Sequence, residues 1–302
     1  MSSGHDRKQA PGLYPYSCYD AYHAAIVQVD SSSQSVSRPI APTKTLAMQN
    51  ILDYPALVFI VSFVLMWLSA RLGAALLRRF RKIEDEARED FSVIQAATLT
   101  LLALIIGFTF SMAVGRYDQR KNYEEEEANA IGTEYVRADL LPAADAAAVR
   151  GLLKAYLDER VLFYTTRDAH ELARVNAETE RLQGAMWSTV KQAAAAQPTP
   201  VVALAVSGMN DVLNTQGYTQ AAWWNRIPYA AWALMTLIAM GANLLVGYGA
   251  RALKAGAGLL LIVPLVVSLS FTLIADIDSP RGGVIRVKPL NLHALADSIR
   301  PH

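Results

Sequence analysis

The sequence predicts an all-α polytopic membrane protein, with four transmembrane helices in two pairs and a helical soluble domain inserted between the pairs. Three observations carry that expectation. Four apolar runs are each long enough to cross a bilayer, and the ionisable residues crowd into the stretch between the second and third runs. No useful length of chain alternates apolar and polar residues with period two. A hydrocarbon core needs roughly 20 apolar residues of helix, because every backbone amide there must be satisfied within its own segment.

Taken in order, residues 1–47 mix Gly, Pro, Ser and Tyr without periodicity and lack the apolar core of a secretory signal. They are expected to be a disordered tail, and Met48, just before the first span, is a candidate native start. The first span, Tyr54–Ala70, extends to Leu77 if Arg71 bends its head back to the interface. Phe91–Gly115, Ile227–Ala250 and Ala255–Ala275 carry no Asp, Glu, Lys, Arg or His. Tyr54, Tyr117, Trp223, Trp224, Tyr229 and Tyr248 flank the spans, at the depth amphipathic rings favour. Gly107, Ser111 and Gly115 recur on one face of the second span and predict tight helix packing, within one chain or between subunits. Pro264 should kink the fourth span or leave a carbonyl free. Asn243, an amide near mid-membrane, is expected to pack helices through an interhelical hydrogen bond. The absence of any deep ionisable residue argues against a proton-driven pump.

The soluble middle, Arg116–Arg226, holds 12 of the 28 Lys+Arg and 15 of the 27 Asp+Glu, which places it in water. Its apolar periodicity predicts four helices. The first continues out of the second span, with Arg120–Glu124 and Lys121–Glu125 as opposite charges four apart and Ala128, Ile131, Tyr135 and Ala138 as its apolar stripe, up to Pro142. The second buries Val149, Leu152, Leu153, Tyr156, Leu157, Phe163 and Tyr164. The third, about Asp168 to Ala196, has Leu172, Val175, Thr179, Leu182, Met186 and Val190 near heptad spacing. A fourth follows Pro198-Thr199-Pro200 with Val202, Ala205, Met209, Val212 and Leu213. The expected division is a tail (1–47), a first transmembrane pair (48–115), a helical domain (116–226), a second pair (227–276) and a C-terminal tail (277–302).

Several function classes lack their parts. A net charge of +1 gives no basic surface for nucleic acid. The single cysteine, Cys18, excludes an internal disulfide and a cysteine-built metal site. The five histidines form no ligand pair, and neither a phosphate-cradling glycine loop nor a nucleophile elbow is present, so no enzyme, metal or cofactor is expected. Glu124–Glu127 read as a solvated helix face, since consecutive helical residues point in different directions. Asp276, Asp278, Arg281 and Arg286 form a polar cluster at the membrane boundary. Two readings stand there: an ion site or lock between subunits, or a helix stop whose aspartates pair with Arg281 or Arg286.

Several segments together carry a family likeness. They are Gly107–Ala113, Arg116-Tyr117-Asp118, Glu127–Thr133, Arg137–Pro142, Asn225–Pro228 and Asp276–Val287. In these the chain resembles the bestrophin-like domain family of bacterial membrane proteins, over about Leu52–Leu290. The resemblance implies kinship to bestrophins, which are pentameric anion channels with four membrane helices per subunit. The acidic calcium clasp of animal bestrophins has no counterpart here, so the likeness carries over the architecture and no ligand residue. It leads to an oligomeric ion channel, possible anions included, in a bacterial inner membrane, with the bilayer and further copies of the chain as partners. On that reading Leu101, Leu104, Ile105 and Phe108 form an apolar constriction that gates by dewetting. The competing reading is a non-conducting sensor or scaffold whose helical domain binds a partner. For orientation, Lys and Arg in short segments number seven beside the loops at 78–90 and 251–254 and five on the opposite side. That leans the helical domain toward the periplasm, whereas the bestrophin analogy would place it in the cytoplasm.

Overall fold

The computed structural model describes residues 51–79, 85–252 and 258–300, all within one unit, Thr45–His302. Eight helices are seen among them: α1 (Pro55–Arg79), α2 (Asp85–Arg137), α3 (Ala143–Thr165), α4 (Ala169–Ala196), α5 (Pro200–Trp224), α6 (Tyr229–Ala252), α7 (Leu259–Asp278) and α8 (Leu290–Ile299). A 3-10 turn, Ala138–Leu140, follows α2, and no strand occurs among the described residues. The expectations for residues 1–47, Met48, Cys18 and the basic loop residues Arg81, Lys82 and Lys254 lie outside the described residues, as does the start of the fourth span at Ala255.

Four helical stretches are long and apolar enough to cross a membrane: Pro55–Ala75, Glu89–Leu140, Pro200–Gly249 and Leu260–Asp278. Helix α2 has 53 residues. At about 1.5 Å per residue it is about 80 Å long, against roughly 30 Å of hydrocarbon. The apolar part and the charged part are therefore one rod. Asp168 starts α4 by accepting the Glu171 amide at 2.8 Å, and Thr199 starts α5 by accepting that of Val202 at 3.2 Å. Pro200 sits at the first position of α5, where its missing N–H costs nothing.

Ile131, Val149, Leu153, Leu182, Met186, Met209 and Val212 form one core between α2, α3, α4 and α5. The heptad residues read for α4 are buried as expected, apart from Leu172, which packs at the edge. Within the spans, Met66, Leu102, Met235, Phe271 and Ile274 form a second core. There α1 packs chiefly against α6 and α7 rather than against α2, its neighbour in sequence. Helices α1 and α6 come closest: a Cβ on Gly73 would overlap the Leu244 carbonyl, and one on Gly247 that of Ala70.

Two expectations are corrected here. Trp223 is no interfacial anchor: it is 5% exposed and packs on Phe163 and Tyr164, because α5 ends inside the extramembrane core. Trp224 and Tyr54, by contrast, are exposed. Asn243 makes no interhelical hydrogen bond among the described residues. Its Nδ2 donates to Ala239 O of its own helix at 2.8 Å, the local solution that Thr98, Thr109, Thr236, Ser270 and Thr272 also use. Pro264 lies inside α7, which runs on through it.

Candidate functional site

Helix α2 carries the candidate site, because one of its faces is left uncovered along the membrane-crossing part. Leu102, Thr109 and Ala113 turn inward and are buried. On the other side Leu101, Leu104 and Phe108 are 46%, 52% and 63% exposed, and Met112 continues their line. Ile105, expected to stand with them, is half-buried against the inner core. Gly107, Ser111 and Gly115 also lie on exposed backbone, and a Cβ on either glycine would meet nothing within 4 Å. Among the described residues, nothing closes on that stripe.

Below this face a polar knot ties four helix ends to α2. Arg120 is 2% exposed and donates to Ala222 O, Asn225 O, Ile277 O and Asp278 O at 3.1–3.4 Å. One guanidinium thus caps the C-termini of both α5 and α7, whose last carbonyls have no helical partner. Asp278 accepts the Ile227 amide at 3.2 Å and stands 3.5 Å from Arg226 and 3.8 Å from Arg116. Arg226 also donates to Asp53, just before α1, at 2.6 Å. Gly282 is required here, since a Cβ on it would overlap the Asp53 carbonyl.

The boundary cluster forms a helix stop through backbone amides, without the aspartate–arginine pairing expected of it. Asp276 accepts the amides of Val284 and Ile285 at 2.7 and 2.8 Å, closing the turn after α7. Arg281 pairs with neither aspartate. It reaches α3, donates to Phe163 O and Thr166 O at 2.7 and 2.8 Å, and lies over the rings of Phe163 and Trp223. Burial, and then nearby Arg160, lower its pKa to about 10. The Nε of Arg286 is buried without a hydrogen-bond partner among the described residues.

The acidic run is likewise no solvated face. Glu125 and Glu126 are exposed, but Glu124 and Glu127 are buried. Glu124 does not pair with Arg120. It accepts the Asn291 and Leu292 amides at 2.9 and 3.0 Å and so holds the N-terminus of α8. Glu127 is bound by the Arg160 guanidinium and accepts from Tyr164 and Thr219 at 3.3 and 3.2 Å. Burial, and then the Glu127 charge, push the Tyr164 phenol well above its ordinary range. These residues fasten α2 to α3, α5 and α8. No group of His, Cys, Asp and Glu suited to a metal ion occurs among the described residues.

A family model described as Bestrophin-like domain matches residues 56–292. No curated protein sequence matches the chain. Among solved structures, the chain is similar to a bacterial bestrophin homologue from Klebsiella pneumoniae determined by Zn-SAD phasing, with a TM-score of 0.54 and 17% identity over 80% of this chain and 95% of that one. It is similar to two single-residue mutants of that homologue as well, with TM-scores of 0.55 and 0.56, each at 15% identity, covering 80% of this chain and 96% and 93% of theirs. At such identities the likeness speaks for the fold.

Proposed function

The chain belongs to the Bestrophin-like domain family, and from that premise we propose that it conducts ions across a membrane as a ring of identical subunits. In this ring α2 faces the axis. Leu101, Leu104 and Phe108 form an apolar constriction, with Ile105 at its edge, and water leaves it before an ion can pass. One observation carries this reading: these large apolar side chains are uncovered on the only described helix that runs unbroken from the membrane deep into the extramembrane core. A face turned to lipid needs no small residues. Here Gly107, Ser111 and Gly115 lie beside the apolar stripe, where neighbouring copies of α2 converge. The bacterial inner membrane is its expected place, with the helical region on the periplasmic side. We assign it no catalytic activity and no cofactor.

Purified protein in planar bilayers tests the proposal. Currents are expected, and Phe108→Ala is expected to enlarge them or make them leak. Silence across salts and voltages, from protein shown to be folded and oligomeric, would put the non-conducting sensor or scaffold in its place.

A further inference from the structure

Glu134 lies on α2 about five turns beyond the last residue of the span and takes no part in the contacts described above. It is 0% exposed, and neither carboxyl oxygen has a hydrogen-bond partner among the described residues. The room it occupies is made by Gly208 of α5: a Cβ there would overlap Glu134 Oε2 and stand 2.6 Å from Arg137 Nη1. A buried carboxylate without donors is among the least favourable groups a protein can hold, whereas the neutral acid is tolerated.

We propose that Glu134 is a proton-binding site, and that the bound proton keeps α2 seated against α5. The charged groups facing it are few. Arg137, one turn along on α2, shares its charge with Asp211 of α5 at 3.8 Å and with solvent. Asp139 on the 3-10 turn and Arg150 on α3 pair with each other. Helix α8 brings the apolar Leu295 against Gly132 at this end of α2. Desolvation thus outweighs the pull of Arg137, aided by Asp211, and raises the Glu134 pKa to about 8. Proton release breaks the carboxyl O–H bond, sends the proton to bulk water and leaves the negative charge on the two oxygens. The carboxylate must then draw Arg137 away from Asp211 or leave its pocket, and either movement loosens the α2–α5 seam. This concerns the helix contact itself and holds whether or not the protein conducts.

Two readouts on the full-length protein in lipid test it. The infrared carbonyl band of a protonated carboxyl is expected to persist at pH 7, to fade around pH 8 and to be missing from Glu134→Gln. Spin labels on Val136→Cys and Leu204→Cys, both exposed positions, in a Cys18→Ser background report the seam. Their distance distribution is expected to broaden above about pH 8 in the wild type and to stay narrow in Glu134→Gln. Gly208→Ala, which crowds the pocket, is expected to move the broadening to lower pH. A band unchanged by Glu134→Gln, a band lost well below pH 7, or the same broadening in both proteins would overturn the inference.

Discussion

Arg120 and Arg160 are the two largest fully buried side chains among the described residues, and each is retained by the acceptors gathered round it. Arg120 is surrounded by carbonyls at helix ends, so its removal leaves two helix termini uncapped. Arg160 faces the Glu127 carboxylate in the core. Removing one partner of such a pair leaves an uncompensated buried charge, at a cost of about 3–5 kcal/mol. Arg160→Met should therefore lower stability by that amount in thermal unfolding, and pairing it with Glu127→Gln should restore most of the loss. Glu134 has a different signature. Its folded-state pKa, about 8, lies above the ordinary 4.5, so the folded protein holds the proton more tightly. The associated stability is complete below about pH 4.5 and is lost as pH rises through about 8. A tenfold change in proton affinity corresponds to about 1.4 kcal/mol, so a few kcal/mol are at stake. The thermal midpoint of Glu134→Gln should exceed that of the wild type by a margin growing from pH 5 to pH 8. A constant margin would show that Glu134 does not titrate this way.

Between elements, two glycine sets make opposite demands. Gly73→Val or Gly247→Val would drive a side chain into the backbone of the opposing helix, and overpacking of this kind costs about 1–3 kcal/mol. A Cβ on Gly107 meets nothing within 4 Å among the described residues, so Gly107→Val makes no such clash. It should leave the thermal midpoint nearly unchanged while altering oligomer size on a sizing column. The sequence shows small residues at both places but not which partner each helix takes, because α1 meets α6 across the whole intervening domain. The same distinction runs through the helical region. The stripe from Val175 to Val190 is legible, since a helix face is written every three or four residues. The inward turn of Glu124 and Glu127 is not, because their partners lie 167 and 33 positions away. A row of four glutamates carries no trace of which two find donors. Arg281 is visible as a boundary charge, but its seat on Phe163 and Trp223 depends on where α3 and α5 end. Of the expected constriction, the uncovered side of α2 can be read from apolar spacing, whereas the half-burial of Ile105 follows from the inner core it meets.

For the whole molecule, four apolar helical stretches require a bilayer, and the family match over residues 56–292 agrees with that requirement. Reporter fusions placed within residues 143–200 decide which compartment holds the helical region. A periplasmic readout is expected, and a cytoplasmic one would show that the short-loop charges mislead. The central claim is that the uncovered face of α2 looks onto an axis shared by several copies. Imaging single particles of the purified protein in detergent or lipid discs, to side-chain detail, tests it most directly. A closed ring with Leu101, Leu104 and Phe108 turned to its centre is the expected result. A monomer, or an oligomer in which these side chains face lipid, would contradict it.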